Sequence, residues 1–195
     1  HKKVHDILRS NVARGGITVE NNEIKIRKME SDDLDSIMES MNEPYMLGHE
    51  EENRQYFKRC LQENKTDERV TFIAYIADKV VGYVNIIYKS LYPWFVDNGI
   101  PEINDLYIAP AYRKRGIGLE LLKKCEQFAA VERGYKYIGL GVGMYKDYGS
   151  AQRLYTKNGY VFDGNGLMYK NKEVQPGKEV FVDDDLLIYL YKKIK

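Results

Sequence analysis

The chain has 195 residues, 30 of them basic and 29 acidic, with a formal net charge of +1 and 44% hydrophobic side chains. That balance supplies no electrostatic basis for non-specific binding to nucleic acid or to an anionic membrane surface, and it is too apolar for a disordered chain. The length suits one domain with an appendage, large enough to bury a core without disulfide staples.

No stretch approaches the roughly 18 consecutive apolar residues of a membrane span. The basic opening, His1 to Ser10, lacks the apolar run of a secretory signal. A soluble, cytoplasmic protein is the expectation. The two cysteines, Cys60 and Cys125, lie far apart with no CxxC or Cys/His spacing, so no zinc site is expected and buried reduced thiols are preferred to a disulfide. His1, His5 and His49 show no metal-ligand spacing either.

Residues 1–22 read as an N-terminal appendage or arm, with Val4, Ile7 and Leu8 suited to a short helix that Gly15 and Gly16 would stop. The domain proper spans residues 23–195. It begins with a half-buried strand in which Ile24 and Ile26 alternate with charged residues. Ser31 is the expected N-cap of a helix with Leu34, Ile37, Met38 and Met41 inward. A second helix covers about 50–63, with Tyr56, Phe57, Cys60 and Leu61 on its apolar face. Residues 70–77 and 80–88 are strands joined by a turn at Asp78-Lys79. A loop at 89–100 carries Tyr92, Trp94 and Phe95, and a strand follows at 102–109. A long amphipathic helix at 118–133 ends at Gly134. Next come a strand at 137–142, a helix at 150–158, a short strand at 160–162 and a final strand at 186–191. This order implies an α/β protein with a mixed sheet and helices on both faces.

The chemistry concentrates where the strand from Glu102 meets the long helix. Arg113, Lys114, Arg115, Gly116, Ile117 and Gly118 occupy the join. Glycines there let backbone N–H groups approach an anion, and a helix N-terminus offers unpaired donors at the positive end of its dipole. A diphosphate-bearing ligand is the physical expectation. Gly118 is followed by Leu119 and Glu120, so the hydroxyl that a P-loop places on magnesium is missing. The Gly139, Gly141, Gly143 run has the wrong spacing for a dinucleotide fingerprint.

Tyr112-Arg-Lys-Arg-Gly-Ile-Gly118 resembles the acetyl-CoA signature of the GNAT acetyltransferases, Gln/Arg-x-x-Gly-x-Gly/Ala. Ala151-Gln-Arg-Leu-Tyr-Thr-Lys-Asn-Gly-Tyr160 is similar to a second segment of that family, one helix and one strand further on. The resemblance implies a central twisted mixed sheet of six to seven strands flanked by about four helices. It implies an N-acetyltransferase that takes the acetyl group from acetyl-CoA (coenzyme A) to a primary amine by direct attack. The backbones of Leu106, Tyr107 and Ile108 would hold the pantetheine arm, residues 113–118 the pyrophosphate, and Tyr155 would protonate the leaving thiolate. A strand distortion would open a slot between the central strands; Gly139, Gly141 and Gly143 suit that role or simple packing. Many relatives carry Asn where this chain has Tyr148, so that cofactor contact is lost or passes to Ser150 or Tyr148 itself.

An attacking amine must be neutral, so a base or a water relay is wanted. Glu102 is the first candidate, with a solvated strand-end acid or a structural ion pair as the alternative. Asp105 has the opposite parity along the strand and is expected to face the other side of the sheet. Trp94 and Tyr92 either wall the acceptor pocket or pack over the sheet, and Asp183, Asp184 and Asp185 form either a solvated turn or an attractor for a cationic amine. The acceptor is expected to be a small-molecule or peptide amine, and a homodimer is the default oligomer. The rival readings are a non-catalytic acyl-CoA sensor and a protein-interaction module of the same fold.

Overall fold

The computed structural model describes residues 23–40 and 49–195; the expected arm over 1–22 and Met41 lie outside the described residues. The strands are β1 (Lys25–Lys28), β2 (Arg69–Ile76), β3 (Lys79–Ile87), β4 (Glu102–Ile108), β5 (Tyr137–Gly143), β6 (Val161–Tyr169), β7 (Lys172–Glu173) and β8 (Leu186–Lys193). They form one eight-stranded sheet in the order β1-β2-β3-β4-β5-β8-β6-β7. Every neighbouring pair is antiparallel except β4 and β5, which run parallel. The helices are α1 (Leu34–Ser40), α2 (Glu50–Lys65), α3 (Pro93–Asp97), α4 (Ile117–Gln127) and α5 (Gly149–Lys157).

Several local expectations shift for identifiable reasons. Glu30, not Ser31, holds the cap position before α1, because its N–H donates to the Asp33 carboxylate at 2.7 Å. Two Arg27 nitrogens grip that carboxylate at 2.7 Å each, tying the helix start to β1. The β2–β3 turn is centred on Ala77 and Asp78, one residue earlier than expected, and both have positive φ as a two-residue hairpin turn requires. The stretch expected to be a loop after β3 contains α3, started by Pro93 at its first turn. β6 runs to Tyr169 because residues 163–166 bulge outward and pairing with β8 resumes at Leu167.

The sheet is covered on both faces. Against one face pack α4 and α5, whose Ile117, Leu121, Leu122, Cys125 and Tyr155 meet Phe72, Val84, Ile138 and Leu140. Against the other pack α1 and α2, with Ile37, Phe57 and Cys60 on Ile73 and Tyr83. Burying one such side chain contributes roughly 1.5–3 kcal/mol. α4 continues without a break into a π-helical turn at Phe128–Glu132, which buries Phe128 and Ala129. Its buried face, spaced at 117, 121, 122 and 125, is what fixes it in place. Both cysteines are free and buried.

The β5 glycines serve packing. A Cβ on Gly139 would lie 2.2 Å from Phe95, one on Gly141 2.9 Å from Tyr189, and one on Gly143 2.4 Å from Tyr148. Three aromatic side chains therefore press on β5 at its glycines, Phe95 with the tip of its ring, and the expected slot must arise elsewhere. Gly139→Ala should lower stability by about 1–3 kcal/mol, since the Phe95 ring is fully buried and cannot swing away. Gly118→Ala, whose Cβ would sit 3.5 Å from Leu154, should leave the melting temperature unchanged or slightly raised. Thermal unfolding of the two variants beside the wild type checks both.

Candidate active site

The slot comes from β4. Tyr83 faces Tyr107 and Asn85 faces Asn104, so β4 spends three residue steps where β3 spends two. The extra residue is a β-bulge centred on Asp105, which has φ 53°. A left-handed conformation costs a non-glycine residue roughly 1–2 kcal/mol, least for Asp and Asn. Past the bulge β4 leaves its parallel neighbour: among the described residues it pairs with β5 at Glu102–Gly139 and Ile103–Leu140 and nowhere further along. The two strands diverge from that point toward their C-terminal ends.

The Ala109 N–H bonds to the Val81 carbonyl at 2.9 Å, so Ala109 is turned toward β3. Backbone groups alternate along a strand, so those of Ile108 and Leu106 point into the gap. Tyr107, opposite Tyr83, is turned toward β3. Of the three residues expected to hold a pantetheine arm through their backbones, Leu106 and Ile108 present theirs to the gap and Tyr107 presents its own to β3. The Arg113 Nε donates to the Ile108 carbonyl at 3.0 Å.

At the end of β4 the chain makes a tight turn and enters α4. Lys114 has φ 62° and Gly116 φ 83°, the left-handed geometry that curls the backbone around a concave turn. The first amides returned onto the helix are those of Leu119 and Glu120, both to the Gly116 carbonyl, at 3.0 and 3.1 Å. The N–H groups of Gly116, Ile117 and Gly118 precede them at the positive end of the helix dipole. Arg113, Lys114 and Arg115 are exposed around this turn. Gly118 sits against the side chains of Leu154 and Ile108, which anything much larger than a methyl group would have to displace. The backbone donors, the cations and the missing side chain fit a pyrophosphate.

Tyr155 lies on α5 in the core of the α4–α5 face, with its ring 6.0 Å from that of Tyr160. Burial, with a smaller contribution from Cys125, pushes its phenol above the ordinary value, so it is protonated at neutral pH. Ser150 is exposed in the first turn of α5. Tyr148 covers Gly143, and its hydroxyl donates to Asp184 at 2.9 Å; the Tyr145 hydroxyl donates to the same carboxylate oxygen. Asp183 accepts from Tyr169 at 3.0 Å. The acidic segment is thus an exposed turn fixed by tyrosines.

Glu102 is buried at the start of β4, where Ser90 donates to one carboxylate oxygen and Asn104 to the other at 3.4 Å. Burial pushes its carboxyl above the usual carboxylate range, against those two hydrogen bonds. Ser90 also accepts the Tyr92 N–H at 2.9 Å, and Tyr92 stacks on Tyr189 with ring centroids 3.8 Å apart. Trp94 packs over Tyr191 at 5.4 Å. Tyr92 and Trp94 therefore seal the sheet beside Glu102, and their outer surfaces line a cleft of about 450 Å³ with Asn165, Asn171 and Glu173. A larger cavity of about 630 Å³, lined by Lys28, Asn64, Tyr88 and Arg133 among others, shares no residue with the α4 turn.

Asp105 is the residue that parity misplaces. Its carboxylate accepts from Tyr56 and from Asn85 Nδ2 at 3.3 Å. Asn85 stands directly opposite Asn104, two residues from Glu102, so the bulge returns Asp105 to Glu102's own face. Burial first, then the Asp105 charge, raises the Tyr56 phenol and keeps it a donor.

The model of the acetyltransferase (GNAT) family matches residues 34–160. The chain belongs to that family. An uncharacterised N-acetyltransferase of Archaeoglobus fulgidus is 30% identical over 126 residues, covering 62% of this chain and 82% of that protein. An uncharacterised N-acetyltransferase of Methanocaldococcus jannaschii is 29% identical over 128 residues, 61% of this chain and 53% of that protein. Among solved structures, the PaiA N-acetyltransferase of Thermoplasma acidophilum in complex with coenzyme A superposes with TM-score 0.62 at 17% identity, over 88% of this chain and 99% of that one. The spermidine N-acetyltransferase of Vibrio cholerae with CoA and spermine gives TM-score 0.62 at 18% identity, over 89% and 96%. At these identities the structures attest the fold.

The raised Glu102 carboxyl makes a stability prediction. Its charged form is disfavoured in the folded state, so the penalty is absent in acid and grows as pH rises from about 4.5 through the folded-state value. Glu102→Gln should therefore gain melting temperature relative to wild type between pH 4 and pH 7, read from melts at both.

Proposed function

We propose that the chain is an acetyl-CoA-dependent N-acetyltransferase that passes the acetyl group directly to a primary amine. The observation that carries this reading is the continuity of two features: the gap between β4 and β5 opens beside the glycine-containing N-terminus of α4. A cofactor whose pyrophosphate rests on Gly116, Ile117 and Gly118 can run its arm along the edge of Leu106 and Ile108 that no strand covers, where Arg113 already holds the Ile108 carbonyl. The solved neighbours that hold CoA support that class of ligand.

Acetyl-CoA supplies the acyl group as a thioester. Amine attack on the carbonyl carbon breaks the C–S bond; the nitrogen sheds its surplus proton to water, and the sulfur leaves as a thiolate that needs a proton. Tyr155, buried and protonated, is assigned that proton donation. Both cysteines are buried, and Cys125 is held as a thiol by desolvation, which favours direct transfer over an acyl-cysteine route. Much of the rate then comes from holding amine and thioester together in the gap.

Gly118→Trp should abolish acetyl-CoA binding in calorimetry, whereas Gly118→Ala should retain it. Tyr155→Phe should bind acetyl-CoA normally and lose about 100-fold or more in kcat for amine acetylation. Normal binding with no turnover of any amine by the wild type would favour a sensor. Absence of acyl-CoA binding by the wild type would refute the reading.

A further inference from the structure

The edge of β4 that a pantetheine arm would follow is occupied at one point. Ile108 stands opposite Gly82, between the positions where β4 bonds to β3, so its N–H and C=O face the gap. Among the described residues β5 pairs with β4 nowhere beyond Ile103, so no strand covers that edge. Arg113 reaches it instead. Its Nε donates to the Ile108 carbonyl at 3.0 Å, back across the turn at Pro110–Tyr112. The Arg113 backbone is extended, with φ −63° and ψ 157°, and the chain beyond it curls through Lys114 and Gly116 into α4. The guanidinium therefore sits where the α4 turn meets the β4 edge. Of the other cations in the turn, Arg115 lies over the Tyr112 ring at 5.2 Å.

The strengths of the competing bonds decide which partner Arg113 takes. Its present bond joins a cation to a neutral carbonyl. A diphosphate on the amides of Gly116, Ile117 and Gly118 would offer charged oxygens in a spacing that the guanidinium fork matches, and such pairs are the stronger ones. Arg113 is exposed, so its side chain can turn toward them. A pantetheine amide is a neutral donor. The bond it makes to the Ile108 carbonyl returns less than the charge-assisted bond it displaces. A diphosphate can draw Arg113 off the carbonyl; the arm alone cannot.

We infer that Arg113 selects the acyl donor: it closes the Ile108 carbonyl to a pantetheine thioester that arrives without a diphosphate, and it releases that carbonyl when a diphosphate fills the α4 turn. The inference rests on the acetyltransferase reading and deepens it. The enzyme takes acyl groups from CoA thioesters and discriminates against thioesters on a bare pantetheine arm. No covalent bond changes in this step; Arg113 exchanges one acceptor for another.

The test splits the cofactor into two probes: pantetheine, the arm without a diphosphate, and ADP, a diphosphate without the arm. Both are titrated into ¹⁵N-labelled protein and followed at backbone amides and at the Arg113 Nε–H, which Arg113→Met assigns. That variant removes the donors from an exposed position and should keep the wild-type melting temperature. ADP should move the Arg113 Nε–H signal together with the amides of Gly116, Ile117 and Gly118. Pantetheine, read at the Leu106 and Ile108 amides, should bind the wild type about threefold to tenfold more tightly with saturating ADP than without it. Pantetheine should tighten ADP by the same factor. Arg113→Met should bind pantetheine without ADP as tightly as the wild type does with it, and ADP should add nothing further. An Nε–H signal that ADP leaves in place, or a variant that binds pantetheine no more tightly than the wild type, overturns the inference. Acetyl-CoA calorimetry separates the two claims. Normal acetyl-CoA binding by the wild type with no coupling between pantetheine and ADP sinks this inference alone, whereas absent acetyl-CoA binding sinks the acetyltransferase reading.

Discussion

The extra residue in β4 is the constraint from which the site follows. Without it, β4 and β5 would pair along their length and the sheet would have no interior opening. With it, pairing stops after Ile103, the Leu106 and Ile108 backbone groups lose a strand partner, and Asp105 turns to the α2 face. A single bulge therefore creates the gap, supplies its hydrogen-bonding edge and places a carboxylate at its mouth. The cost of the left-handed Asp105 is offset by the sheet and helices around it, in keeping with strain stored at functional sites.

The neighbouring elements keep that gap open and aimed. Phe95, Tyr189 and Tyr148 fill the glycine surface of β5, and β8 pairs along its other edge, so the strand stays packed although β4 has left it. α4 is held by its buried face, which fixes the position of Gly116 to Gly118 relative to Ile108. The polar layer from Glu63 through Arg69 and Tyr56 to Asp105 couples α2 to the bulge. A partly satisfied layer of this kind would be costly in a core; here every step from Glu63 to Asp105 has a partner.

Much of this architecture is legible in the residues. The β-rich runs of β2 and β3, the spacing on α4 and the glycines at 116 and 118 carry direct physical signals, and the two family segments carry the ligand class. The bulge does not announce itself. Glu102-Ile-Asn-Asp-Leu-Tyr-Ile108 is a good strand by composition, and a one-residue bulge leaves no local signature when the residue in the left-handed region is Asp rather than Gly. Counting parity through it puts Asp105 on the wrong face and makes Glu102 the natural candidate. The β5 glycines mislead similarly, since glycine marks a close approach without saying what approaches. The short α3 was hidden because five residues are too few to show a helical period.

The most direct test of the account is where CoA perturbs the backbone. In an amide-resolved NMR titration with CoA, the account predicts the largest shifts at Gly116, Ile117 and Gly118, with Leu106 and Ile108 following along the β4 edge. Unmoved amides there, with shifts instead at Tyr88 and Arg133 around the larger cavity, would contradict it.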